Sequence, residues 1–442
     1  MPKLDQKTPR NNSKSNPQSA SVSRSLQPGF PHSPGEKKNQ CFLKVNCGDE
    51  SRTIEKEPQL LRPATSCQVR GFLDHDFRGV VESWKECNSR FADHTIHCDP
   101  DWIEEHFKKE KKNVRVFFLE KGKEIVGAVP FVLNQQHLVC QLGQVTVARF
   151  PMRVLVLQGY TPNMPAEEST YDMLIDQVLR SDFDAIYMNH VNTESFLWNY
   201  LGKSALIRKW FWRYSRRASL PHLLIRLDGT FESYMKKFSA QIRKNRLREI
   251  KLLRERGEVQ LMRVTKASEI DAFLEAAYAI GRTTWQFRRF GDLAARDLDV
   301  ARGELRLLAK RGWLRSYVLK CGDVPCSFIL GQQYGQRFHP YNVGVDEKWR
   351  GYSAGTVIFL LALEDLFKEN SPQLYDFGSY AKWQEVFANE SYSEASVWLF
   401  RRRVYPLLTG SIYRACNVMS MNAGAALERF GLKSKVNRLL SR

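Results

Sequence analysis

The stretch from Phe338 to Lys382, FHPYNVGVDEKWRGYSAGTVIFLLALEDLFKENSPQLYDFGSYAK, decides how the whole chain reads. Phe338 to Val345 has the aromatic and apolar composition of a strand. Asp346 to Gly355 is a polar turn that carries glycines. From Thr356 to Phe367 apolar residues recur at helical spacing, through Val357, Leu360, Leu361, Leu363, Leu366 and Phe367. Leu374 to Phe377 returns as a short strand ending at Gly378. Strand, tight turn, helix and strand make a βαβ-like unit, whose first turn is the natural place for chemistry.

That turn reads Lys348-Trp349-Arg350-Gly351-Tyr352-Ser353-Ala354-Gly355-Thr356. Ser353 is placed to cap the helix, with its hydroxyl on a free backbone N–H. Gly351 and Gly355 let the main chain come close to a bound group. The first-turn N–H groups attract anions, and Lys348 and Arg350 add positive charge, so a diphosphate fits there. An ordinary capped helix after a strand accounts for the same residues, and composition alone leaves both readings open.

Arg350-Gly351-Tyr352-Ser353-Ala354-Gly355 follows the Arg/Gln-x-x-Gly-x-Gly/Ala pattern of the GNAT acyltransferase superfamily, with Ser353 at the middle fixed position. Tyr352-Ser353-Ala354-Gly355, Asp376-Phe377-Gly378 and Lys382 are similar to the bacterial cellulose-biosynthesis-type acetyltransferases, paired GNAT-like domains related to the Fem peptidyltransferases. Tyr380-Ala381 stands where that group often has proline-tyrosine. The resemblance runs from about Val69 to Val404 and is strongest in the last third. It implies an α+β (mixed α/β) fold of two tandem GNAT-like domains, with central mixed β-sheets flanked by helices.

By resemblance, acetyl-CoA or another acyl-CoA is the co-substrate, and its acyl group passes to an amine or hydroxyl in polysaccharide or cell-envelope metabolism. Its contacts would be Asn342 or Val343 at the thioester and Arg350, Gly351, Tyr352, Ser353, Ala354, Gly355 and Thr356 at the pyrophosphate. Asp376, at the end of a strand, is the best-placed carboxylate for a base or for orienting substrate; it serves equally well as a cap on Gly378-Ser379. Tyr341 is a candidate proton donor, or a packing residue of the strand. Lys382 is a candidate contact to an anionic substrate, or a solvated lysine. Trp285 matches a tryptophan usual in the cellulose-type group and would line the acceptor site or sit in the core.

The chain's 442 residues suffice for two domains. The expected division is a disordered extension over 1–66, a degenerate GNAT-like domain over 67–220, an acyltransferase domain over 221–403 and a basic helical tail over 404–442. The extension is rich in Ser, Pro, Asn, Gln and Lys and too poor in apolar residues to offset its ordering entropy, apart from a short strand at Cys41–Val45. The first domain has Gly159-Tyr160-Thr161-Pro162 where a cofactor turn would lie, and Pro162 removes one backbone donor.

No window approaches the ~18 apolar residues of a membrane span, and the polar N-terminus lacks a signal core. The nine cysteines contain no Cys-x-x-Cys and read as reduced thiols, which points to the cytoplasm. His94-x-x-His97 has no partner cluster, so no metal is expected.

The net charge of +19 is concentrated. Lys203 to Arg256 holds 16 Lys/Arg against 4 Asp/Glu, and Arg401 to Arg442 holds 9 against 1. The first block includes one long helix, read from Phe231 to Arg256. Such density suits anionic partners. A small-molecule or glycan acceptor is the favoured partner, with aminoacyl-tRNA (as for the Fem enzymes) or plain nucleic-acid binding as alternatives. The absence of zinc, RNP or recognition-helix patterns weighs against nucleic acid. The tail has the pattern of amphipathic helices, read as a cap on the second domain or as a peripheral membrane contact.

Overall fold

The computed structural model describes residues 67–73, 78–91, 95–109, 113–143, 145–216, 219–284, 297–369 and 371–429. The expected extension over 1–66 and Trp285 lie outside these residues. The strands are β1 (Cys67–Leu73), β2 (Asn113–Lys121), β3 (Glu124–Leu142), β4 (Val145–Leu157), β5 (Ala185–Asn192), β6 (Phe211–Tyr214), β7 (Leu220–Arg226), β8 (Val259–Val264), β9 (Ser316–Cys321), β10 (Val324–Tyr334), β11 (Arg337–Val345), β12 (Leu374–Asp376) and β13 (Glu390–Arg401).

All thirteen belong to one mixed sheet, in the order β1-β2-β3-β4-β5-β13-β7-β12-β11-β10-β9-β8, with β6 also on β13. The sheet is continuous because β13 pairs antiparallel with both β5 and β7. A strand from the end of the expected second unit therefore sits beside strands of the first. The plan repeats around it. Each half has antiparallel hairpins and one parallel contact, β4 with β5 and β11 with β12. Gly122 and Gly322, at φ of +66° and +58°, make the hairpin turns before β3 and β10, a region that glycine enters without steric cost.

Helices cover both faces. The helix Ala354–Lys368 buries Val357, Leu360, Leu363, Leu366 and Phe367 against one face of the second half. The helices Ile270–Thr283 and Leu298–Lys310 cover the other face, where Ile96 and Trp102 of the first half join the same core.

Two expected elements differ. The single basic helix is two, Phe231–Met235 and Ala240–Arg254, because the Ser239 side chain accepts from Ile242 N at 3.3 Å and starts a new helix. The distal parts of β3 and β4 pair from Phe131↔Leu157 to Leu142↔Val145. Their polar middle hides the pairing, since ladder hydrogen bonds do not depend on side-chain polarity on an open face. The tail is one helix, Val404–Arg429, and it lies along the first half rather than the second. Tyr405 Oη donates to Pro151 O at 2.7 Å, and Ser420 Oγ donates to Gln141 O at 2.8 Å.

Candidate functional site

β11 and β12 pair only through Arg337↔Leu374 and Phe338↔Tyr375. Beyond that the strands part, as Phe377 N–H turns to Leu223 O at 3.3 Å. Among the described residues, no strand lies beside the edge of β11 from His339 to Val345 that faces this opening. Its other edge pairs with β10, but Leu330 opposes Asn342 while Gly331 opposes Pro340. Tyr341 is thus the extra residue of a β-bulge, a device that re-aims strands near active sites. Asn342 Oδ1 is buried without a hydrogen-bond partner, which costs on the order of 1–3 kcal/mol unless a donor reaches it.

At the far end of this edge lies the turn. A 3-10 helix, Glu347–Tyr352, is capped by Asp346, whose Oδ1 accepts from Lys348 N at 2.9 Å. Ser353 then takes φ +57° and ψ 28°. Right-handed residues followed by a left-handed one form a backbone concavity that binds anions. The Ala354 and Gly355 N–H groups, first in the next helix, have no acceptor within it. The Ser353 hydroxyl does not cap this helix, contrary to expectation. Its carbonyl accepts instead from Thr356 N and Val357 N, at 2.9 and 3.0 Å. Holding a serine left-handed costs roughly 1 kcal/mol, a strain typical of functional turns.

The two turn glycines serve different ends. Gly351 faces open space, whereas a Cβ on Gly355 would meet Val345 Cγ2 at 2.9 Å. Gly355 therefore lets helix and strand pack closely, and only Gly351 leaves room for a ligand. Arg350 and Lys348 are exposed here. Arg256, just beyond the basic helix, lies over the Tyr352 ring at 4.9 Å and adds a further cation.

At the near end of the edge, the sheet carries a ladder of charge. His190 on β5, Glu394 on β13, His222 on β7, Asp376 on β12 and Arg337 on β11 occupy five successive strands. His190 Nδ1 lies 2.8 Å from Glu394 Oε1. His222 Nδ1 lies 2.5 Å from Glu394 Oε2, and its Nε2 lies 2.8 Å from Asp376 Oδ1. Arg337 Nη1 donates to Asp376 Oδ2 at 2.6 Å. His222, Asp376 and Glu394 are buried. The Tyr392 ring stacks on His222 with centroids 4.6 Å apart, and Tyr160 meets it edge-on.

Both nitrogens of His222 face carboxylates, so both donate and the ring is an imidazolium. Burial opposes that charge, but the hydrogen bonds to Asp376 and Glu394 outweigh it and hold the pKa at about 9. Burial also works against the carboxylates. His222, with the Arg337 guanidinium nearby, nevertheless pulls Asp376 well below the usual carboxylate range, and His190 and His222 lower Glu394.

A pH dependence follows from these shifts. Because the folded pKa of His222 lies above its unfolded value of 6.5, its contribution is complete below about pH 6.5 and lost as pH rises through about 9. That shift corresponds to about 3 kcal/mol. The urea midpoint is expected to fall between pH 7 and 9.5, and a flat midpoint over that range contradicts an imidazolium at His222.

His339 lies at the crotch of the opening. Its Nδ1 lies 3.2 Å from the Asp376 backbone oxygen, which can only accept. Nδ1 therefore carries the proton, and Nε2 is left as the lone-pair nitrogen. Burial lowers the pKa of His339 and keeps the ring neutral, with nearby Asp376 a smaller opposing influence. A Cβ on Gly378, at φ +67°, would stand 2.7 Å from His339 Cε1. Asp376-Phe377-Gly378 thus organises the histidine. The carboxylate holds His222 and Arg337, the carbonyl fixes the His339 tautomer, and the glycine leaves room for its ring.

A small open cleft lies beside these groups, lined among others by His97, Tyr160, Tyr334, Arg337, His339 and Asp376. Its walls come from both halves of the sheet.

The residues singled out from sequence are distributed as follows. Asp376 lines the cleft as a buried anion, with Oδ1 on His222 and Gly378 N and Oδ2 on Arg337. Asn342 and Val343 lie on the open edge beside Tyr341, whose ring packs among the helices of the second half's outer face. Arg350 to Thr356 form the turn between the 3-10 helix and the helix Ala354–Lys368, with Ser353 left-handed at its centre. Lys382 is exposed at the start of a 3-10 helix and does not line the cleft.

Sequence reasoning missed His339, His222, Arg337, Glu394 and Tyr160. They are single residues scattered over more than 200 positions, and only the strand order brings them together. The ligand-type atoms of His190, His222 and Glu394 lie within 4.8 Å of one another. They are spent on each other in the bonds above.

A profile of the acetyltransferase (GNAT) domain matches residues 240–390. The matched span contains the open edge, the turn at Arg350–Thr356, His339 and Asp376. No curated protein matches the chain. The structure of FemX superposes with a TM-score of 0.55 at 11% identity, covering 77% of this chain and 100% of that one. A tandem GNAT protein from the clavulanic acid biosynthesis pathway gives 0.42 at 10% identity, over 76% and 98%. The L-PGS of Bacillus licheniformis gives 0.42 at 11% identity, over 77% and 97%. The GNAT domain match supports an acyltransferase, and the superposition on FemX shows a shared fold, a mixed sheet flanked by helices.

Proposed function

We propose that the chain transfers an acyl group from acyl-CoA to an amine or hydroxyl. One observation supports this reading: a strand edge with no partner strand among the described residues runs from a basic turn with a left-handed Ser353 at one end to the His339 imidazole in a cleft at the other. A thioester of CoA has matching parts in the same order.

The diphosphate would sit on the turn at Arg350–Thr356, met by backbone N–H groups and by Arg350, Lys348 and Arg256. Two amides of the pantetheine arm would pair with the edge of β11 as an added strand does. The thioester carbonyl would reach the bulge, where a backbone N–H of Asn342 or Val343 polarises it. The acceptor attacks the carbonyl carbon and its proton passes to His339 Nε2. The C–S bond then breaks, and the CoA thiolate takes the proton back from the imidazolium. The first half would hold no CoA, since Tyr160, packed against His190 and His222, fills the corresponding place after β4.

Membership of the cellulose-biosynthesis-type group, a glycan or small-molecule acceptor and a cytoplasmic location form part of the same proposal. The exposed basic residues of Ala240–Arg254 keep one other reading in view, an aminoacyl-tRNA donor.

Gly351→Glu tests the donor site. Gly351 faces open space, so the new carboxylate fits without a clash and brings like charge to the diphosphate. Calorimetry with CoA is expected to show affinity roughly a hundredfold or more weaker, with the melting temperature unchanged. Unaltered CoA affinity refutes the placement. Tight tRNA binding that survives physiological salt supports the aminoacyl-tRNA reading instead.

A further inference from the structure

The hairpin of β3 and β4 reaches beyond the rest of the sheet, and the helix Val404–Arg429 lies along it. The two are tied at the tip, where Ser420 Oγ donates to Gln141 O at 2.8 Å and Gly143 N donates to Ser420 Oγ at 3.0 Å. Around this contact large apolar side chains face solvent: Val145 is 55% exposed, Met419 57% and Met421 56%, joined by Val147 and Val418. Leu408 is exposed further back on the helix. Scattered exposed apolar residues are ordinary, but a cluster at one end of two paired elements marks a contact surface.

The charges around this contact are positive, and the helix has a single acid, Glu428, in its last turn. Residues 130–160 and 404–427 contain no Asp or Glu. Arg149 and Arg414 are exposed there. The chain continues past Arg429 as FGLKSKVNRLLSR, with four further Lys/Arg and no acid.

We propose that this end of the molecule rests on an anionic lipid bilayer, with the valines and methionines entering the headgroup boundary and the arginines meeting acidic headgroups. Both halves of that chemistry are needed. A nucleic acid would satisfy the arginines but leave the apolar cluster in water. A second copy of this face would cover the apolar cluster but oppose like charges without an acid between them. Residues 1–66, with 11 Lys/Arg against 6 Asp/Glu, would add positive charge to the face rather than neutralise it. The contact is peripheral: among the described residues no helix is long and apolar enough to cross a membrane. Apolar insertion beside basic groups is how surface-lying helices bind acidic membranes. This inference does not depend on the acyl-transfer reading, since it uses none of that site's residues.

The test is co-sedimentation of the full chain with phosphatidylcholine vesicles, with and without phosphatidylglycerol. Binding is expected only with the acidic lipid and is expected to weaken as salt rises. Val418→Asp with Met419→Asp, and separately Arg149→Glu with Arg414→Glu, should each lower vesicle partitioning roughly tenfold. All four positions are exposed, so the melting temperature should hold. The proposal is overturned by equal binding to both vesicle types or by variants that bind as the wild type does. It is also overturned if Val418→Asp with Met419→Asp splits a dimer in sedimentation velocity, or if RNA displaces the protein from the vesicles.

Discussion

Asp376→Asn is expected to cost about 3–5 kcal/mol of folding stability. The side chain is fully buried between two cations, the His222 imidazolium and Arg337. An asparagine has the same shape but no charge. Its carbonyl oxygen can accept from one of the two, and its NH₂ then points at the donor of the other. What remains is a buried positive charge without a counter-ion, the costly half of a broken buried pair.

The loss should appear as a lower urea midpoint at pH 7. The stability decline between pH 7 and 9.5 should weaken too, because His222 loses one of its two carboxylates. Asp376 is the carboxylate that sequence marks for chemistry, either as a base or as an orienting group. Its depressed proton affinity makes it a poor base, and its geometry makes it a positioning residue. An Asp376→Asn protein with wild-type stability and no turnover would restore the base assignment.

His339→Asn is expected to lower turnover by about 10²–10⁴-fold, the range for a lost general base. Asparagine keeps an N–H where Nδ1 stands, so the bond to the Asp376 carbonyl can persist, but it has nothing where Nε2 stands. CoA binding should be unchanged, since the turn at Arg350–Thr356 is at the other end of β11. Release of the CoA thiol from a panel of acyl-CoAs, with amine and hydroxyl acceptors, measures the effect.

The wild-type kcat/KM should fall on the acid side, where His339 takes up a proton, and this limb should be missing in the variant. Gly378→Ala provides an independent check. Its methyl would stand 2.7 Å from His339 Cε1, so it should displace the ring and reduce turnover while the histidine remains. Full turnover in both variants would show that the acceptor proton goes elsewhere.

The strand–turn–helix–strand unit at Phe338–Lys382 was legible because each of its parts is local. The apolar period marks the helix, glycines and charges mark the turn, and the pattern Arg350 to Gly355 lies within six residues. The mixed α/β class was legible too. Local signals misled where two local devices compete. Ser239 restarts a helix that apolar spacing alone would continue, and Ser353 takes a left-handed backbone where its side chain reads as a cap.

What the sequence by itself determined about this protein is therefore the strand, turn, helix and strand of this unit. The tertiary structure alone decided that β13 joins the halves into one sheet, that the tail helix lies on the first half, and that His190, Glu394, His222, Asp376 and Arg337 form one ladder. Strand neighbours in a sheet are chosen by non-local packing and carry no fixed spacing along the chain. A charge ladder perpendicular to the strands therefore leaves no motif. It exists only after the sheet has formed, when the low dielectric of the core leaves each buried charge dependent on the partner supplied by the next strand.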